Sequence, residues 1–252
     1  MRGGNVLCRP HVPARLRTSP DGPARYASGV IVVVGALGLR GSVEEPEPDG
    51  LAPSIASAAA AAGARVELIS KAGDDPAGDA VLLALAKAGV GHVATLRDPS
   101  RLTPVRAQPD EPTDPAVDEA AEPASDGAAH SDSGDSPEVA ASADFRPILD
   151  AADISLALRY LTDFEVLVAV HPSSELLAEA VSAAGWAGAR LVVVLEPDGD
   201  VPAGVPADAL VVAARADDAE GVGARIGRYA AALSRGDDAA AAYRDLTAAP
   251  TT

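Results

Sequence analysis

The sequence predicts an α/β fold, a doubly wound and mainly parallel sheet with helices on both faces. Three observations lead there. Residues 30–34 (VIVVV) form an unbroken apolar run closed by Gly35, the pattern of a strand buried on both faces as in a parallel sheet. Strand-like and helix-like patterns then alternate with short loops, the signature of βαβ units. The chain of 252 residues is 48% apolar but only 3% aromatic, so its core must be assembled from Ala, Val and Leu.

Residues 1–29 precede the first element. Five arginines (Arg2, Arg9, Arg15, Arg17 and Arg25) face one acid, Asp21, among scattered Pro and Gly. Without an apolar run there, the segment is not a secretory signal, and its prolines spoil the amphipathic helix of a transit peptide. It reads as a disordered Arg-rich tail. After the first strand, Pro46–Gly50 reads as a loop. Ala52–Ala62 is an Ala-rich helix stopped by Gly63. Arg65–Ser70 is a second strand. Asp75 caps a helix that begins with Pro76 at its first position and ends before Gly89. His92–Leu96 is a weaker third strand.

Residues 107–145 break the alternation. They hold eleven acids and no Lys or Arg, and too little apolar surface to offset the entropy of ordering. This acidic insert is expected to be disordered, and it carries 11 of the 17 net negative charges. Beyond it, Ile148–Leu161 reads as a helix and Glu165–Val170 as a strand. Ser173–Ala184 is a helix capped by Ser173 or Ser174. Arg190–Leu195 and Ala209–Ala213 are strands, and Asp218–Ser234 and Asp237–Leu246 are helices. The expected organisation is therefore a tail (1–29), a first part of one α/β domain (30–106), the insert (107–145) and a second part of the same domain (146–252).

Composition excludes several classes of function. A net charge of −17 argues against a nucleic-acid binder, which needs a basic face to displace counterions. Cys8 is the only cysteine, so neither an internal disulfide nor a multi-Cys zinc site can form. No apolar run reaches the ~18 residues of a membrane span. The expectation is a cytoplasmic protein with no membrane or nucleic-acid partner. No P-loop pattern exists. Gly35, Gly38 and Gly41 follow a buried strand, but the next helix begins only near residue 51, too far on for a dinucleotide pyrophosphate to rest on its N-terminus. His11, His92, His130 and His171 have no partners at metal-ligand spacing, and no metal site is expected. Trp186, at a helix end, is expected to pack against the core.

Residues 54–78 carry a more specific pattern: an Ala-rich helix ending at Gly63-Ala64, a strand, then Gly73-Asp74-Asp75-Pro76-Ala77-Gly78 opening the next helix. Leu82, Leu85, Gly89 and Val90 continue it. This stretch resembles the ribokinase family, the PfkB-type carbohydrate kinases, over about residues 30–105. A weaker match lies at Asp217–Gly223, against the family's Asp-Thr-Thr-Gly-Ala-Gly-Asp motif, and at Ala231–Gly236. The resemblance implies a reduced ribokinase-like fold, and ATP and Mg as cofactors if kinase activity is retained. It implies Gly50 and Ser54 as substrate-binding candidates and Gly221 and Gly223 as nucleotide or anion-hole candidates. Asp217 and Asp218 are the nearest acids for a catalytic role.

The departures from the family pattern are chemical. Arg40 stands where the family holds its sugar hydroxyls with an Asp, and a guanidinium accepts neither a proton nor a hydrogen bond. Gly223 aligns with the catalytic base. Glu220 aligns with the first residue of the anion hole, where its charge would repel a moving phosphoryl group. Residues 41–48 leave no room for the family's β-strand lid, so the lid is expected to be absent. The length left after tail and insert is short for this family, so part of the middle or late sheet is expected to be missing. The expectation is a degenerate, non-catalytic protein that binds a small sugar or nucleotide, or acts by interaction. The alternative is an active ATP-dependent sugar or nucleoside kinase with a divergent site.

Overall fold

A computed structural model of the chain describes residues 29–107, 145–215 and 219–247. The Arg-rich tail before Gly29, nearly all of the acidic insert, and Asp217 and Asp218 lie outside the described residues.

The first strand, β1 (Val30–Val34), lies at the centre of a seven-stranded parallel sheet. On one side it pairs with β4 (Arg65–Gly73), whose first half pairs with β5 (Val90–Gly91) and whose second half pairs with β6 (Thr95–Asp98). On the other side stand β8 (Phe164–Val170), β9 (Arg190–Leu195) and β10 (Leu210–Ala213), in that order. Strands from both sides of residues 108–144 thus share one sheet. The position of β1 follows from its sequence. Ile31, Val32, Val33 and Val34 are all fully buried, which only a strand covered on both faces allows.

Because strand side chains alternate, the sheet has two cores. Ile31, Val33, Leu68, Val168 and Val192 point to one face. That face is covered by α1 (Leu51–Ala61), α2 (Pro76–Lys87) and α5 (Ala224–Ser234). Val32, Val34, Ile69, Leu167 and Val193 point to the other, covered by α3 (Ala151–Leu158) and α4 (Ser174–Ala187). The last helix, α6 (Ala239–Thr247), packs beside α5. Helices therefore cover both faces, as the sequence predicts.

Several boundaries differ from the sequence reading. Pro46–Gly50 is not a loop: Pro46–Asp49 is β3, which pairs antiparallel with β2 (Gly38–Gly41). β2 also pairs with β7 (Val105–Arg106), so residues 38–49 and 105–106 form a small second sheet. That sheet follows strand one, and the long-range partner β7 supplies its third strand. The single strand expected over His92–Leu96 is instead β5 and β6, on either side of residues 92–94. The helix expected from Ile148 begins only at Ala151, because Asp150 and Asp153 form a reciprocal capping box there. The helix expected from Asp218 is a π-helical turn at Ala219–Gly223 followed by α5. Trp186 does not pack: it is 91% exposed. It lies two residues beyond the buried Ala184, about 200° round α4 from the core stripe.

α1 and α5 approach closely because α5 carries glycine at the crossing. A Cβ added at Gly227 would lie 2.5 Å from the Ile55 carbonyl oxygen and 2.7 Å from Ala58 Cβ. Gly227→Ala is therefore expected to lower stability by ~1–3 kcal/mol by forcing the helices apart. Gly185→Ala, within α4 and with nothing inside 4 Å of the new methyl group, should raise it by ~0.5–1 kcal/mol. Urea denaturation of the two variants reads both signs.

Glu67 on β4 has a buried Oε2 without a hydrogen-bond partner. Burial pushes its carboxyl above the usual carboxylate range, against the pull of Arg65 and His92. Between the unfolded and the raised folded value the native state holds more protons, so this group lowers stability as pH rises through that window. Glu67→Gln should remove that fall and raise stability at pH 7, measured as melting temperature from pH 4 to 7.

Candidate functional site

In open parallel sheets a ligand crevice forms beyond the carboxyl ends of the strands, where successive connections run in opposite directions. Here that switch point lies between β1 and β8. The chain leaves β1 at Gly35, whose carbonyl accepts a hydrogen bond from Ser70 Oγ (2.7 Å) and whose N–H donates to the Ile69 carbonyl (3.2 Å). It passes through the β2–β3 hairpin and returns at Gly50. There φ is +118°, a conformation open to glycine, and α1 starts at the next residue.

The hairpin settles what Arg40 does. Its guanidinium lies 3.0 Å from Asp49 Oδ1, and Arg106 on β7 lies 3.4 Å from the other oxygen of the same carboxylate. Asp49 is thus the hub of the small sheet, its side chain only 13% exposed. Arg40, which the resemblance sets against the family's sugar-holding Asp, is engaged with a carboxylate of its own chain. Asp49 was missed in the sequence because it was read within a loop. The hairpin sets Glu47 opposite Arg40 and Asp49 opposite Gly38, so the ion pair is diagonal and no simple spacing announces it.

Ser54 and Gly223, distant in sequence, meet at the first turns of α1. A Cβ on Gly223 would stand 2.8 Å from Ser54 Oγ and 3.2 Å from Leu51 Cδ1. The substrate-side candidates Gly50 and Ser54 and the anion-hole candidates Gly221 and Gly223 therefore gather at one end of α1. Gly221 is exposed and Gly223 buried. Ser54 fills the side of Gly223 from which a side chain would project. The catalytic candidates Asp217 and Asp218, and the side chain of Glu220, lie outside what the structure describes. Among the described residues no group of three or more His, Cys, Asp or Glu side chains is placed to hold a metal ion.

Two further residues build the rim. Asp75 caps α2 through Gly78 N (2.7 Å), as its sequence predicts. It also accepts from the Thr103 N–H (2.7 Å) and the Thr103 hydroxyl (2.8 Å). Thr103 Oγ1 in turn accepts from Gly73 N (2.9 Å). One carboxylate thus ties the segment leading into β7 to the end of β4. His171 follows β8 with φ +45°, a left-handed conformation that costs energy outside glycine. The ring is held by Nε2 donating to the Ala214 carbonyl (2.9 Å), with Nδ1 3.3 Å from Glu196 Oε1. It joins the ends of β8, β9 and β10. Partners 25 and 43 residues away leave no spacing signal in the sequence.

No family model matches the chain, and no curated protein matches it by sequence. Solved structures do. An E. coli protein assigned as ribokinase II, in its apo form, superposes with a TM-score of 0.55 at 14% identity, over 86% of this chain and 89% of that one. An Agrobacterium tumefaciens protein assigned as a ribokinase gives 0.50 at 14% identity, over 85% and 87%. An uncharacterized sugar kinase from Pyrococcus horikoshii gives 0.43 at 13% identity, over 79% of this chain. The chain spans about 60% of the length of that kinase. The fold is ribokinase-like, a mainly parallel α/β sheet of the PfkB-type kinase architecture. No helix among the described residues is long and apolar enough to cross a membrane.

The Asp75 network exceeds an ordinary cap. Asp75→Ala should cost about 2–4 kcal/mol rather than the ~1 kcal/mol of a lost N-cap, because it also strands the buried Thr103 N–H. Equilibrium urea denaturation measures it. A loss no larger than the cap alone would show that Thr103 finds another partner.

Proposed function

We propose that this chain is a non-catalytic ribokinase-like protein that binds a small sugar or nucleotide at the mouth above the β1–β8 switch point. The observation that carries this reading is the Arg40–Asp49 ion pair at 3.0 Å. In-line phosphoryl transfer needs an acceptor hydroxyl held in place and a base positioned to take its proton. A guanidinium can accept neither that proton nor the hydroxyl's hydrogen bond, since it has no lone pair to offer. Its partner Asp49 is already shared between two arginines. The base position falls on Gly223, which has no side chain and packs on Ser54. Loss of a general base alone costs about 10²–10⁴-fold, enough to bring a kinase of ~1–100 s⁻¹ close to background.

Binding without turnover remains open to such a mouth. The hairpin, the Gly50 turn and the first turns of α1 present hydroxyl and backbone groups at the carboxyl ends of the strands, where polar ligands of α/β proteins sit. Donors and acceptors of that kind suit the hydroxyls of a sugar, and a ligand held only by the folded state raises its melting temperature.

The test pairs two measurements on the full chain. ADP release with Mg-ATP over a panel of sugars and nucleosides should show no sugar-dependent turnover above about 0.1 s⁻¹, against ~1–100 s⁻¹ for kinases. A thermal-shift screen with the same panel should show at least one stabilising compound. Sugar-dependent turnover abolished by Asp217→Asn or Asp218→Asn would instead establish the active kinase and make that acid its base.

A further inference from the structure

A separate cleft opens between α5, α6 and the end of α1. It encloses about 920 Å³, within the range of small-molecule sites. Its charged and polar lining is Arg225, Arg228, Tyr229 and Arg235 of α5 and its C-terminal cap, with Asp237 and Asp238 from the turn into α6; alanines of the three helices form the rest. It is distinct from the mouth. Gly223 and Gly227 face α1, whereas Arg225 and Arg228 fall on another side of α5 at ~100° per residue.

The charges in this cleft do not balance. Asp237 pairs with Arg235 at 3.2 Å, and Arg235 also reaches the Ala62 carbonyl at 3.5 Å. Asp238 accepts from Ala241 N at 2.9 Å and so caps α6. Both carboxylates are therefore engaged. No described carboxylate pairs with Arg225 or Arg228. This is notable in a chain whose net charge is −17, where acids are abundant. Tyr229, a largely buried side chain at 8% exposure, also lines the cleft. Burial pushes its phenol upward, so at neutral pH it stays a hydrogen-bond donor. A ligand acceptor in the cleft could take its hydrogen bond.

We propose that this cleft binds a small organic molecule bearing a dianionic phosphate group, held by the Arg225 and Arg228 guanidinium groups. Two guanidinium groups with no partner among the described carboxylates suit more than one negative charge, and a phosphate monoester carries about −1.5 to −2 at pH 7. Guanidinium forks match phosphate oxygens bidentately. The Tyr229 hydroxyl supplies a further donor, and the alanine-lined wall takes the apolar body of the ligand. The assignment does not depend on the reading of the mouth, and the arginine variants separate binding in the cleft from binding there.

Phenyl phosphate is a suitable probe, because it joins a dianionic phosphate to a small apolar ring. Calorimetric titration of the full chain should show saturable binding below about 1 mM that weakens as salt is added. Phenol, which lacks the phosphate, should not bind. The double variant Arg225→Gln/Arg228→Gln should weaken binding at least tenfold with an unchanged circular dichroism spectrum, and Tyr229→Phe should weaken it severalfold. Should the double variant unfold, Arg228→Gln alone, at an exposed position, should weaken binding about threefold. The proposal is overturned if phenyl phosphate does not bind up to 10 mM, a roughly 10-fold margin over the expected range. It is equally overturned if phenol binds as well as the phosphate, or if a folded arginine variant binds as tightly as the parent chain.

Discussion

Two helices can run this close together only where one of them carries no side chain, and α5 meets that condition against α1. At Gly227 a methyl group would collide with the backbone of Ile55 and Ala59. At Gly223 it would collide with Ser54. The two glycines lie four residues apart, one helical turn, so they form a smooth strip on one side of the helix. That contact sets the depth at which α5 sits on the sheet. It brings the π-helical turn of residues 219–223 to the start of α1, where the mouth is. It also decides which way the rest of α5 faces. With Ile226, Ala230 and Ala231 buried toward the sheet, the arginines are left on the side that forms the cleft with α6.

The mouth itself is organised by one carboxylate. Asp49 accepts ion pairs from Arg40 and Arg106, and these three side chains come from the three strands of the small sheet. The pairing holds together a hairpin with few apolar residues, in which only Leu39 is fully buried. Partly buried ion pairs of this kind are strong when their geometry is satisfied and costly when one partner is removed. Asp75 plays a comparable role on the other side, fastening the segment before β7 to the start of α2.

Much of the architecture was legible in the chain because it follows from local chemistry. The VIVVV run admits no other reading than a doubly covered strand. Asp75-Pro76 and Ser173 open their helices through side-chain caps that act within three residues, and Gly63 and Gly89 close theirs at positive φ. The candidates Gly50, Ser54, Gly221 and Gly223 were each visible from the resemblance. What the chain did not reveal is that Ser54 and Gly223 touch, that Arg40 is engaged by Asp49, or that Pro46–Asp49 is a strand. Pro46 and Pro48 argue for a loop by propensity, and both are tolerated because β3 is an edge strand that pairs on one side only.

The sequence by itself therefore determined the α/β class, the central place of β1, the helix starts and the residues worth asking about. Those properties depend on periodicity and on contacts within a few residues, which a linear pattern records. The tertiary structure decided the small sheet, the seating of α5 on α1, the His171 tie between β8, β9 and β10, and the gathering of Arg225 and Arg228 in the cleft. Each of these joins positions tens of residues apart, and in His171's case holds a side chain in a backbone conformation it would not choose alone. Such contacts exist only once the sheet has fixed the distances between its strands and helices.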